Sequence, residues 1–366
     1  MRITFIGSFV KTKTGIERIN EELIKRLIQD DEIEKIDIIA PKQRAHLQDI
    51  VIKSDKVRLQ TFPTSFLKLL FFIPRFIKTI GGNPVCVIAN IRPIAIIAYL
   101  CCFFKYQTKI IQIVPDIIAW HYPKLFPFIV SLSFKIFGIL FKNFPSLYIV
   151  HSEFTKNDLI TEWGIDEKKI KVVKLGTFIK PHQPRDNFGS KKILFVGTIE
   201  PRKGLDKLLD AYEIIKQEIP DVELIICGKI GWKVKDLVLK LNKMISTNTK
   251  VKYLGYVDDD KLINLYREVD VCVYPSFYEG FGLPPLEAMA CGCPVIVSNT
   301  SSLPEVVGEA GITVDPIDVK QLATAIKEVI LNDALKRKLS IAGIQKAEEY
   351  DLNVNLLQLI EVIKNA

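Results

Sequence analysis

Disulfide and zinc spacings are missing from this chain. Its seven cysteines, among them the neighbours Cys101 and Cys102 and the pair Cys291 and Cys293, follow neither pattern, and most sit in apolar runs. They read as reduced core residues of a cytosolic protein. A long apolar run is missing as well. The longest uncharged one, Pro93 to Phe104, falls short of the ~20 residues a membrane-spanning helix needs, so no segment is expected to cross a bilayer. The opening MRITFIGSFVKTKTG has an apolar run too short for a signal-peptide core and lysines where a small-residue cleavage site would be, and reads as a first strand. No internal repeat or low-complexity segment stands out. What remains, 48% apolar and 25% charged residues over 366 positions, is the composition of a folded protein long enough for two domains.

Acidic residues are scarce in one region. Residues 51–150 hold 12 Lys and Arg against 2 Asp and Glu, and residues 1–183 as a whole hold 27 against 16, whereas the remainder holds 23 against 26. The basic residues of this region are interleaved with large apolar ones, as in FLKLLFFIPRFIKTI and FPFIVSLSFKIFGILFKNF. Such a mix suits an anionic membrane surface, and it equally suits core helices with solvated lysines. Nucleic acid is not an expected partner, because the aromatic residues fit helix faces better than stacking platforms.

Short β-branched runs alternate with helical patterns. In the first half these are RITFIG, a helix from about Gly15, KIDIIAP, VCVIAN, KIIQIVPD and LYIVHS. The pattern breaks in TFIKPHQPRDNFGS, from Thr177 to Ser190, the best linker candidate. It restarts with KKILFVGT, a helix over 204–218, VELIICG, VKYLGY, a helix over 259–268, VCVYPS, a helix from Pro284, PVIVS and GITVD. Strand then helix, repeated, predicts two parallel sheets with helices on both faces, which bind ligands at the carboxyl ends of their strands. The expected division is residues 1–180, residues 181–350, and a C-terminal helix in 351–366 packing back toward the first domain.

The chemistry-bearing stretch is VCVYPSFYEGFGLPPLEAMACG. A strand ends at Pro275 and a helix is expected near Pro284, since proline suits a first helical turn. The glycines between, Gly280 and Gly282, let the backbone come close to a ligand, and the N–H groups of the loop and helix start suit a phosphate or sugar oxygens. Glu279 at the strand end and Glu287 in the first helical turn could both reach one ligand; taken singly, each also suits an ordinary loop or dipole role. FVGTIEPRKGLDKLL places Arg202 and Lys203 at another strand's carboxyl end, where two cations can neutralise a diphosphate without a metal. The run Asp258–Asp260 precedes a helix and reads as an N-cap, so no metal site is expected.

EGFGLPPLE has the E-x7-E spacing of the retaining glycosyltransferases of the large GT4 family, and the continuation AMACGCPVIVSNTSSLPEVVGEAGITVDP resembles bacterial mannosyl- and rhamnosyl-transferase-like members. The resemblance covers nearly all of residues 191–330. It implies the α/β GT-B fold, two Rossmann-like doubly wound domains facing across a cleft, with the acceptor on the first and a nucleoside-diphosphate sugar mainly on the second. It implies that Arg202 and Lys203 bind the donor diphosphate, Glu279 the donor sugar and Glu287 the ribose, with Gly280, Phe281, Gly282 and Leu283 forming the donor loop. GSFVKTKTGIER resembles the family's first glycine loop, which puts Gly15 near the donor phosphates; a role in helix packing alone is the other reading. IIQIVPDIIAWHYP resembles the family's His-Asp turn, with Pro115 where a histidine is usual. Asp116 is then the candidate acceptor-side polar group and His121 a candidate replacement for the imidazole. In VHSEFTKNDL, Ser152 is expected to cap a helix, and His151 is read as structural ahead of facing the acceptor.

The expected function is thus a metal-independent retaining hexosyltransferase that needs no cofactor. It would move a sugar from a nucleotide sugar to a saccharide or lipid-linked acceptor in cell-surface polysaccharide synthesis, in the cytoplasm or peripherally on the inner membrane face. Two alternatives stand beside it: a nucleotide-sugar epimerase on the same fold, and a non-catalytic glycan-binding partner subunit.

Overall fold

The computed structural model describes residues 1–7, 15–41, 54–62, 78–79, 83–89, 99 and 108–366. Residues 8–14, which hold most of the stretch likened to a glycine loop, Cys101 and Cys102, and nearly all of the basic apolar stretch 66–80 lie outside them. The chain divides into two units, Met1–Leu175 with Asn355–Ala366, and Gly176–Val354.

The first unit is built on seven parallel strands, β1 (Arg2–Ile6), β2 (Lys35–Pro41), β3 (Val57–Phe62), β4 (Val85–Ile88), β5 (Lys109–Val114), β6 (Leu147–Val150) and β7 (Ile170–Val172), in the order β3-β2-β1-β4-β5-β6-β7. The second has six, β8 (Lys192–Val196), β9 (Glu223–Cys227), β10 (Val251–Gly255), β11 (Val271–Tyr274), β12 (Val295–Ser298) and β13 (Ile312–Val314), all parallel, in the order β10-β9-β8-β11-β12-β13. Strands covered on both faces read as continuous apolar runs, and β4, β11 and β12 are buried at every position. The helix Leu205–Glu218 presents Leu205, Leu208, Leu209, Tyr212 and Ile215 to the second sheet, the spacing of one helical face. In each sheet the direction of winding reverses beside the first strand, between β1 and β4 and between β8 and β11. Such reversals open a crevice at the strands' carboxyl ends.

Two strands are not foreseen in the sequence. β3 alternates apolar residues with Arg58 and Gln60, and β7 is only three residues long. The proline-containing stretch 177–190, read as a linker, is instead a fixed part of the second unit. Arg185, 8% exposed, donates from Nη1 to the carbonyls of Tyr266 and Val269 at 3.2 and 2.6 Å. The fully buried Asp270 carboxylate accepts from Gly189 N, Ser190 N and Lys191 N, and Lys336 Nζ lies 3.4 Å from it. The division therefore falls at Leu175 and Gly176. At the other end, the helix Leu352–Lys364 passes from the second unit into the first, where Lys364 pairs with Asp30 and Glu32 at 3.2 and 2.9 Å.

The helix Phe128–Ile136 and the π-turn Phe137–Phe141 after it have two apolar faces. Phe137 and Phe141 point inward, and their rings meet Tyr99 with centroids 5.1 and 5.7 Å apart. On the outside, Phe128 is 79% exposed, Ile139 65% and Leu140 63%, with Ile129, Leu132 and Lys135 exposed among them. No Asp or Glu occurs between Asp116 and Glu153. No helix among the described residues is long and apolar enough to cross a membrane.

Candidate functional site

β8 and β11 lie side by side at the second reversal point, and each runs into a loop rich in charge and glycine. After β8, Glu200 in extended backbone leads into a 3-10 turn, Pro201–Lys203, which ends at Gly204 in the left-handed region (φ 68°). A Cβ at Gly204 would lie 2.0 Å from the Pro275 carbonyl oxygen, so only glycine lets this turn press against the end of β11. Phe277 N donates to Arg202 O at 2.8 Å, tying the two loops by backbone. The second loop is strapped from below by the stretch after β12. Ser301 Oγ accepts from Glu279 N at 3.0 Å, and Ser302 Oγ donates to Glu279 O and Phe281 O at 2.9 and 2.8 Å. Phe281 is buried with its ring edge-on to Tyr350, centroids 5.8 Å apart. Gly280 and Gly282 are buried in this loop, and Gly282 (φ 116°) caps the helix Leu283–Ala290.

Because the helix starts at Leu283, Glu287 is its fifth residue and lies in the second turn, not the first. Pro284 and Pro285 fill the first turn that the sequence reading gives to Glu287. Glu287 is buried. Its charge adds to burial in pushing up the Tyr266 phenol and the Cys272 and Cys291 thiols.

The structure brings Arg202, Lys203 and Glu279 together. Arg202 Nη1 donates to Glu279 Oε2 at 2.8 Å and to Tyr278 O at 3.0 Å, while Lys203 Nζ donates to Glu279 Oε1 at 2.6 Å. Two residues that sequence reasoning does not single out complete the cluster. Glu200 Oε1 lies 2.8 Å from Arg202 Nη2, and Lys203 Nζ donates to Tyr274 OH while lying 4.7 Å from that ring's centroid. Glu200 adjoins the Pro-Arg-Lys-Gly turn, and its position beside the two cations is the signal that could have found it.

Burial alone would push the Glu279 carboxyl up, but the charges of Arg202 and Lys203 and their hydrogen bonds overcome it and hold it at about 2. A carboxyl so low is no proton donor at neutral pH. Burial, then the neighbouring Arg202, lowers Lys203, against the pull of Glu279. Burial raises the Glu200 carboxyl, against the pull of Arg202 and Lys203. Burial and then the Glu279 charge raise the Tyr274 phenol far above its ordinary range, so it stays neutral. The result is two fixed cations at the carboxyl end of a parallel sheet with two carboxylates as counter-charges. Arg202 is 19% exposed, which leaves it within reach of an anion.

The remaining candidates belong to the first unit. Asp116 Oδ1 accepts from Ile118 N at 3.1 Å, and His121 Nε2 lies 3.0 Å from Asp158 Oδ2. His151 is 3% exposed, with Nδ1 2.9 Å from the Val173 carbonyl; burial outweighs that bond and lowers it to about 4, a neutral core histidine. Ser152 Oγ accepts from Thr155 N, and Asp258 accepts from Lys261 N, both as helix N-caps. Gly15 opens the helix Gly15–Gln29. Among the described residues no group of three or more His, Cys, Asp or Glu could hold a metal ion.

Residues 177–346 match the family model described as "Glycosyl transferases group 1". The chain is 41% identical over 172 residues to O-antigen chain mannosyltransferase B of Escherichia coli, covering 47% of this chain and 45% of that protein. It is 32% identical over 221 residues to MMP alpha-(1->4)-mannosyltransferase of Mycolicibacterium hassiacum, covering 57% of this chain and 51% of that one. The chain thus spans about half the length of these relatives. Among solved structures, HepE of Anabaena in complex with UDP and glucose covers 100% of both chains with a TM-score of 0.80 at 20% identity, a likeness of fold. WaaG, a glycosyltransferase involved in lipopolysaccharide biosynthesis, does so with a TM-score of 0.75 at 14% identity. Residues 177–346 are therefore a glycosyl transferases group 1 domain, within a chain that has the two-unit parallel α/β fold of the GT-B glycosyltransferases.

Proposed function

We propose that the protein is a retaining glycosyltransferase that takes a hexose from a nucleoside-diphosphate sugar. The observation that carries this reading is the buried Arg202–Glu279–Lys203 cluster at the β8–β11 reversal. Two preorganised cations in a water-poor site can stabilise the charge that develops on a departing diphosphate without a metal ion. The HepE structures with UDP and UDP-glucose support a nucleotide sugar as donor, and the mannosyltransferase relatives support mannose as the first sugar to try.

Glu279 is engaged by both cations and is poorly suited to act as a nucleophile, which favours substitution on one face of the sugar. The anomeric carbon–phosphate oxygen bond breaks, the bond to the acceptor hydroxyl oxygen forms on the same side, and the acceptor's proton passes to the departing phosphate. Asp116 and His121 are the polar groups proposed for the acceptor side.

The acceptor proposed is a saccharide carried on a lipid, met at the cytoplasmic face of an anionic membrane. The exposed Phe128, Ile129, Leu132, Ile139 and Leu140, with Lys135 exposed among them and no Asp or Glu between Asp116 and Glu153 in the sequence, support this placement. Incubation with GDP-mannose and a panel of GDP- and UDP-sugars, reading release of nucleoside diphosphate, tests the function. Transfer or slow hydrolysis is expected. An isomerised sugar would make the protein an epimerase, and silence with every donor would make it a partner subunit.

A further inference from the structure

Glu200 has an arrangement that its pairing with Arg202 does not explain. It is 3% exposed, one carboxylate oxygen faces Arg202 Nη2, and the other, Oε2, is buried with no hydrogen-bond partner among the described residues. Charge balance accounts for a carboxylate here, because it adds a second counter-charge to Glu279 beside the two cations Arg202 and Lys203. It does not account for an oxygen left without a donor, since buried polar atoms nearly always have one and a bare charged acceptor is costly. Holding Arg202 needs a single oxygen, which an amide would also supply. The loop after β9 brings backbone to this edge: a Cβ on Gly231 would lie 3.5 Å from Glu200 Cβ and 2.7 Å from Ile199 O.

We propose that Glu200 Oε2 accepts a hydrogen bond from a hydroxyl of the bound nucleotide sugar, while Oε1 keeps Arg202 in register on the diphosphate. The proposal rests on the donor reading above. The hydroxyl belongs either to the ribose or to the sugar being transferred; both present the same donor to a carboxylate. When the diphosphate draws Arg202 and Lys203 toward itself, Glu200 remains the guanidinium's counter-charge, so the fork does not swing away with its new partner.

Isothermal titration of the wild type and of Glu200→Ala tests this. The probes are UDP, GDP, their 2′-deoxy and 3′-deoxy forms, and GDP-mannose and UDP-glucose with their deoxysugar counterparts. The wild type should bind the compound lacking the contacted hydroxyl roughly tenfold or more weakly, the size of one hydrogen bond to a charged acceptor, and Glu200→Ala should discriminate by less than about twofold. The loss of discrimination appears among the deoxynucleotides if the ribose is held, and among the deoxysugars if the sugar is. Equal discrimination by both proteins at every hydroxyl overturns the proposal. If Glu200→Ala does not fold by circular dichroism, Glu200→Gln replaces it under the same criterion, since it keeps the volume and an oxygen for Arg202. A wild type that binds none of these compounds fails at the donor reading itself, an outcome distinct from intact binding with unchanged discrimination.

Discussion

Lys203 Nζ and Glu279 Oε1 lie 2.6 Å apart, with both side chains 9% exposed and the two residues 76 positions apart in the chain. A buried ion pair adds less stability than well-packed apolar residues of the same volume, so its placement at a sheet's carboxyl end accords with the proposed role in recognising charge.

Removing one partner exposes that role. Glu279→Ala should lower stability by about 3 kcal/mol, because it leaves Lys203 buried with less compensation. Lys203→Met and Glu279→Gln should each cut turnover by roughly a hundredfold or more. The double variant should recover most of the stability and none of the turnover. Urea melts and release of nucleoside diphosphate check this, and near-normal turnover in either single variant would sink the site.

His151 should make the fold sensitive to mild acid. Its native value is about 4, below the ordinary 6.5, so the unfolded chain binds more protons between those values. Its contribution is complete above about pH 6.5 and is lost as pH falls toward 4, amounting to about 2 kcal/mol between pH 7 and pH 5. His151→Gln should flatten that part of the urea-midpoint profile; an unchanged slope would show that the histidine is not held neutral.

Gly204→Ala should be severe for so small a change. The new methyl would meet the Pro275 carbonyl at 2.0 Å in a backbone with φ 68°. A loss of about 3 kcal/mol or more is expected in thermal unfolding, together with loss of turnover. An Ala variant as stable as the parent would mean that the two loops are not pressed together.

Serine at Phe128, Ile139 and Leu140 together should weaken co-sedimentation with anionic liposomes by roughly tenfold or more, with little change in melting temperature, since these side chains are already exposed. Raising the salt should weaken wild-type binding as well. A wild type that stays in solution with such liposomes at low salt counts against the membrane-facing acceptor.

Much of the scaffold was legible because parallel strands covered on both faces must be apolar throughout, as β11 and β12 are, and because the Pro-Arg-Lys-Gly and Glu-Gly-Phe-Gly turns each follow a largely apolar strand. Local pattern failed where distant partners decide. Prolines and polar residues made 177–190 resemble a linker, yet Arg185 is held by carbonyls more than 80 positions away. Glu287 falls just past the first turn because the helix capped by Gly282 begins at Leu283, one residue before the expected Pro284. The convergence of Glu279 on both cations, and the inclusion of Glu200 and Tyr274, follow from the adjacency of β8 and β11, which no local periodicity encodes.

The bridging posture of Glu279 also bears on which anions the proposed donor site would ignore. Its cations already have an anion, one that is part of the chain and cannot diffuse away. On the proposed donor reading, a diphosphate entering there takes part in an exchange, and must offer more than Glu279 does before the swap is favourable. Inorganic phosphate, with one centre and no nucleoside, has little to trade. On that same reading, the protein's own carboxylate would act as a threshold that a complete nucleotide sugar crosses and small anions do not.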